Sequence, residues 1–156
     1  VVVLGVDPGC VVAGFCVIEK KHNQKLSLLH AGALNLSSKK PLSTRVHMFY
    51  TFMKSCIEKY KCSVLALETP FLGKNAQSFL KLGYLRGVLY LLAEEYSLRI
   101  CEFSPPQVKQ AITGYGRAPK EQLARVVMRF FPRFSMPEKL DITDAMAVCM
   151  CACWRV

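Results

Sequence analysis

Aspartate is nearly missing from this chain. Only Asp7, Asp141 and Asp144 occur in 156 residues, and acids of both kinds number 11 against 21 Lys and Arg. The resulting net charge of +10 points to a polyanionic partner, nucleic acid first and an anionic membrane surface second. A basic, solvated face with no partner is the plain alternative. Long hydrophobic runs are absent too. The runs present, such as Gly87 to Ala93, are far too short to span a bilayer, so membrane insertion is not expected. No basic leader precedes the apolar run Val1–Val6, which ends in Asp7-Pro8-Gly9 and so reads as a strand and not a signal peptide. There is no linker, internal repeat or low-complexity tract, so residues 1–156 read as a single domain. With 52% apolar and 21% charged residues, disorder is excluded. The eight cysteines accompany a rich core and no export signal. They read as buried free thiols in a reducing cytoplasm, not a disulfide scaffold.

Hydrophobic periodicity supplies the elements. Strands are expected at residues 1–7, 14–20 and 25–36, as an antiparallel meander turning at Asn23. Pro41-Leu42-Ser43-Thr44 starts a helix, continued at helical spacing by Val46, Phe49, Tyr50, Met53 and Ile57. Residues 63–67 form a short strand ending in Glu68. A long helix runs from about Asn75 to Tyr96 and is apolar nearly all round from Val88 to Leu92, as if buried on two sides. A strand at 98–103 follows. Ser104-Pro105-Pro106 then caps another helix. The last two helices cover 119–131 and 140–154. This order implies an α/β protein, a mixed five-stranded sheet of three antiparallel strands then parallel ones, flanked by helices.

The scarce acids stand at chemically useful places. Asp7 and Glu68 end strands, where ligand sites of open α/β sheets lie. Asp141 and Asp144 are three apart and share one helix face, at the rim of a stripe formed by Ala145, Val148 and Cys151. If the first and fourth strands are neighbours, the four carboxylates converge. Oxygen donors without thiol or imidazole suit Mg²⁺, with Mn²⁺ as a substitute, and do not suit zinc. Two such ions about 4 Å apart can clamp the attacking and leaving oxygens of a phosphodiester. The plain alternative has Asp141 at a helix dipole and the other acids paired with lysines.

Several segments together resemble the RuvC family. They are Gly5-Val6-Asp7-Pro8-Gly9, Leu67-Glu68-Thr69-Pro70-Phe71, Gly73-Lys74-Asn75-Ala76-Gln77-Ser78, Lys81-Leu82-Gly83, Arg86-Gly87-Val88, Gln107-Val108-Lys109-Gln110, Gly114-Tyr115-Gly116 and Asp141-Ile142-Thr143-Asp144-Ala145. They match in order over essentially the whole chain. The resemblance implies an RNase H-like fold and a homodimeric, Mg²⁺-dependent endonuclease. Such an enzyme cuts two opposed strands of a four-way DNA junction during recombination and repair, and is expected to work with branch-migration helicase proteins. It implies Asp7, Glu68, Asp141 and Asp144 as metal-binding catalytic carboxylates, with Lys109 and Lys120 beside them. It places Phe71 against unpaired bases at the crossover. Cys10 departs from the family, which usually has Ser or Thr there, without touching a metal ligand. The chain also lacks the longer polar tail common in the family.

Further contacts follow from position. Phe71 lies in a loop near the acids, where an aromatic can stack on a base for about 1–3 kcal/mol; packing as a loop anchor is the alternative. Lys74, Asn75, Ser78, Lys109, Arg117 and Lys120 are the expected DNA contacts. Lys81, Arg125 and Arg129 are further cations that could line a phosphate path. Phe79, Leu82, Gly83, Arg86, Gly87 and Tyr90 on the long helix form the expected dimer interface, with Gly83 and Gly87 admitting a second backbone and Arg86 structural or interfacial. Cys149, Cys151 and Cys153 read as core, and His22, His30 and His47 as surface or packing residues. The glycines at 114 and 116 suggest a mobile loop near DNA and not a dinucleotide site. Three alternatives remain: a related YqgF-type nuclease acting on structured RNA, a non-catalytic junction-binding module, and an actin-like ATPase, which 156 residues leave too little room to build.

Overall fold

A computed structural model describes residues 1–156. Its strands are β1 (Val2–Asp7), β2 (Val12–Lys20), β3 (Leu26–Asn35), β4 (Val64–Glu68) and β5 (Arg99–Phe103). Its helices are α1 (Leu42–Tyr60), α2 (Ala76–Glu95), α3 (Pro105–Thr113), α4 (Lys120–Phe130) and α5 (Leu140–Arg155). The strands form one sheet in the order β3-β2-β1-β4-β5. β1, β2 and β3 pair antiparallel, while β4 joins β1 and β5 in parallel. β1 and β4 are therefore neighbours, the condition on which the convergence of acids depended.

Alternation along the strands sorts the core into two layers. Leu4, Val6, Leu65 and Leu67 face α1 and α2. Val3, Val64, Ala66 and Cys101 face α3, α4 and α5. On that second face α5 lies unusually close to the sheet. A Cβ added to Gly5 would stand 2.5 Å from both the Ala145 carbonyl oxygen and the Cys149 Cβ, and one added to Gly14 would stand 2.0 Å from the Asp141 carbonyl oxygen. Only glycine permits this approach. Ala145 through Cys153 are all buried as a result, so the cysteine run is core. The Cys149 thiol donates to the Val3 carbonyl at 3.3 Å.

The opposite face is more open. α2 starts where Asn75 Oδ1 accepts from the amides of Gln77 (3.1 Å) and Ser78 (3.2 Å). It buries Leu85, Leu89, Leu92 and Ala93 but leaves Leu80, Tyr84, Tyr90 and Leu91 exposed. The sequence suggests burial on two sides; within this chain only one side is covered. No helix is long and apolar enough to cross a membrane.

The remaining starts and stops are local. Ser104 and Gln107 form a reciprocal capping box on α3, as its Ser-Pro-Pro start suggests. Gly114 ends α3 with φ +75°. Local bonds shape the segment that follows: Gln110 Nε2 donates to the Gly114 carbonyl at 3.0 Å, and the Tyr115 amide donates to Thr113 Oγ1 at 3.1 Å.

Candidate active site

β1 and β4 run in register from Val3 beside Val64 to Val6 beside Leu67. One further step sets Asp7 beside Glu68. Both follow the alternation of Val3 and Val64, so both project towards α5. There the close packing over Gly5 and Gly14 brings Asp141 and Asp144, on the first turns of α5, to the same end of the sheet. Two adjacent strand ends and one helix start thus hold the four carboxylates together.

The electrostatics report this crowding. The Asp7 carboxyl is pushed up to about 8, first by burial, then by the charges of Asp144, Asp141 and Glu68, with Lys120 opposing. Burial and the Asp144 charge also raise Glu68, against Lys120 and Lys109. Lys120 Nζ donates to Asp144 Oδ2 at 2.9 Å, and that bond holds the lysine's proton more firmly. As placed, no three of these side chains are grouped closely enough to hold one ion. The donor set is nonetheless right for a hard divalent cation: only oxygens, crowded like charges, and one lysine offsetting part of the repulsion.

Arg86 supplies a support that the sequence left undecided. It is 7% exposed. Its Nη1 donates to the Glu68 carbonyl at 2.6 Å, its Nη2 reaches Tyr90 Oη at 3.0 Å, and it pairs with Glu102. The guanidinium therefore pins the end of β4 from within this chain. Phe79, Leu82, Gly83, Arg86 and Tyr90 line a cavity of about 400 Å³ that includes Asp7, Glu68 and Phe71. Most of the expected interface residues thus look towards the acids. The open apolar stripe of α2 lies one step round the helix. There Tyr84, Gly87, Val88 and Leu91 face Val46 and Tyr50 of α1 across a groove of about 920 Å³. Gly83 borders both spaces, and no atom stands within 4 Å of a Cβ built on Gly83 or Gly87.

The other expected contacts spread around the acids. Phe71 is 80% exposed beside them, so it does not pack on α2 as a loop anchor would. Lys74 is exposed just before the Asn75 cap, whose side-chain oxygen is already used. Ser78 is exposed and, with Lys81, borders a separate cleft beyond Leu82. Arg117 is exposed in the turn before α4, while Lys109 is half-buried near Glu68. Arg45, which drew no attention in the sequence, donates from Nη1 to the Cys10 carbonyl at 2.9 Å and holds the loop after Asp7. No periodicity or motif announces that contact, because it joins residues 35 positions apart.

Comparison with known proteins adds to this geometry. The family model described as crossover junction endodeoxyribonuclease RuvC matches residues 3–152. A relative of that name from Halothermothrix orenii is 38% identical over 150 residues, covering 96% of this chain and 90% of the relative. The solved structure of T. thermophilus RuvC in complex with Holliday junction substrate superposes with a TM-score of 0.88 at 28% identity, covering 96% of this chain and 90% of the other. The yeast mitochondrial Holliday junction resolvase Ydc2 shares the fold, with a TM-score of 0.66 at 14% identity over 94% of this chain and 75% of its own.

Proposed function

Because the chain belongs to the RuvC family of RNase H-like nucleases, we propose that it is a crossover junction endodeoxyribonuclease that resolves four-way Holliday junctions by paired phosphodiester hydrolysis. The observation that carries this reading is the gathering of Asp7, Glu68, Asp141 and Asp144 at one end of the sheet. These residues would hold divalent cations, two Mg²⁺ per site with Mn²⁺ able to substitute. When bound, such ions supply charge stabilisation at the attacking and leaving oxygens of a phosphodiester.

The protein's own groups account for the rest. Lys120 and Lys109 are the cations whose charge reaches the acids, and they would offset negative charge gathering on the phosphate. Arg86 is a positioning residue that fixes Glu68 through its carbonyl. Phe71 stands free beside the acids and would stack on a base unpaired at the crossover. Lys74, Asn75, Ser78 and Arg117 would follow the backbone on either side. A homodimer would give two cuts related by symmetry, matching the near two-fold symmetry of the junction. The uncovered groove between α1 and α2 supports that assembly. A single domain working in the cytoplasm with branch-migration helicases completes the reading. A complete set of carboxylates argues against a purely binding module, and nothing in the fold favours structured RNA.

The test is incubation with a synthetic four-way junction, a matched linear duplex and Mg²⁺. Paired symmetric nicks on the junction alone are expected. Asp7→Asn should keep junction binding and lose about a thousandfold or more in cleavage. Nicking by Asp7→Asn at the parent's rate, or equal cutting of the duplex, would sink the reading.

A further inference from the structure

A second cleft opens on the other side of the loop that follows Asp7. It measures about 530 Å³ and is bordered by Gly9, Cys10, Ser38, Arg45, Ser78 and Lys81. Its chemistry is the reverse of the carboxylate site: two cations, two hydroxyls and the backbone of a tight loop. Asp141 closes the end that meets the acids, so the two spaces adjoin.

One group in this cleft lacks a partner. Arg45 spends Nη1 on the Cys10 carbonyl, but its Nε is buried with no hydrogen-bond acceptor. Its Nη2 makes no hydrogen bond within the chain and is not buried, so that edge of the guanidinium is free to meet an acceptor. Lys81 stands near enough to bear, like Arg45, on the Cys10 thiol. A guanidinium and an ammonium around one small space suit a tetrahedral anion with several acceptor oxygens.

We propose that this cleft is a phosphate subsite, in which Arg45 and Lys81 grip a backbone phosphate of the strand being cut, next along from the bond at the carboxylates. Arg45 has two tasks there. It holds the Gly9–Cys10 loop, and so the end of β1 that carries Asp7, and its open Nη2 meets the phosphate. Filling the cleft then couples the grip on the strand to the placement of Asp7. The proposal rests on the junction-resolvase reading.

Cys10 makes it measurable. The other seven cysteines are buried and Cys10 alone is not, so a maleimide should label one thiol per native chain. Labelling is followed in EDTA with four-way junction, with linear duplex, and with inorganic phosphate alone. Junction at saturating concentration should slow labelling by about tenfold or more. Binding of Lys81→Gln, an exposed position that does not threaten folding, should have a shallower salt dependence. One lost phosphate contact corresponds to a slope smaller by about one, or roughly threefold less affinity lost between about 50 and 200 mM salt. Arg45→Lys, which keeps the charge but not the fork, should lose cleavage more than binding.

If the parent cuts the junction while Cys10 stays unprotected and the Lys81→Gln slope is unchanged, the subsite is overturned and the resolvase reading stands. Protection by inorganic phosphate but not by junction would also overturn it, as a free-anion site. A parent that neither binds nor cuts the junction overturns both.

Discussion

The two faces of the sheet are built to different tolerances. On one, α5 is pressed against β1 and β2 so tightly that Gly5 and Gly14 have no room for a methyl group. On the other, α2 buries one side and leaves Leu80, Tyr84 and Leu91 uncovered. The tight face carries Asp141 and Asp144, whose use depends on sub-ångström placement. The open face carries Phe71, Ser78, Lys81 and the groove towards α1, groups suited to partners that arrive from outside. Chemistry is anchored where packing is densest, and recognition where the surface is still free.

The largest expected blow to this contrast is Gly5→Ala. A methyl 2.5 Å from the Ala145 carbonyl and the Cys149 Cβ must push α5 off the sheet, costing about 3 kcal/mol or more. Thermal unfolding should show a matching fall in Tm, and a variant as stable as the parent would mean that α5 does not sit as described.

The second effect is the pH dependence of the metal-free protein. Asp7, pushed up to about 8, holds a proton in the folded state that the unfolded chain releases near the ordinary carboxyl range. The folded state thus binds more protons, so stability should fall as pH rises from about 4 towards 8. Over the two units from pH 5 to pH 7 this amounts to on the order of 3 kcal/mol; Glu68, also raised, acts in the same direction. In EDTA the parent should melt lower at pH 8 than at pH 5, and Asp7→Asn should flatten that difference. Added Mg²⁺ at pH 8 should raise the Tm of the parent more than that of Asp7→Asn. Parallel melting curves for both proteins at every pH would remove the crowding argument.

Smaller effects belong to the open face. Phe71→Ala, at a side chain with almost no contacts to lose, should leave Tm unchanged. It should weaken junction binding by about 1–3 kcal/mol in a titration, and unchanged affinity would return Phe71 to a bare surface residue. Gly87→Ala has nothing to clash with inside the chain. It should stabilise the isolated chain by about 0.5–1 kcal/mol through helix propensity. A loss of dimer in sedimentation by the same variant would place a second backbone on that glycine.

Much of the molecule was legible in the order of its residues. Strand alternation placed Asp7 and Glu68 at strand ends, and the three-residue spacing placed Asp141 and Asp144 on one helix face. Ser104-Pro105-Pro106 announced the capped start of α3. These are local signals, each contained within one or two turns or one strand. The apolar run around Val88–Leu92 calls for a second partner besides the sheet; within this chain that side is uncovered, and the run by itself does not say what covers it.

The sequence by itself therefore determined the elements, the mixed sheet and the four scarce carboxylates. It could do so because period and capping are properties of neighbouring residues. Only the tertiary structure decided that Gly5 and Gly14 are clearances for α5, that Arg86 turns inward to hold Glu68, and that Arg45 reaches the loop beside Asp7. Those roles arise between segments far apart in the chain. Their direction is set by packing, which no local pattern encodes.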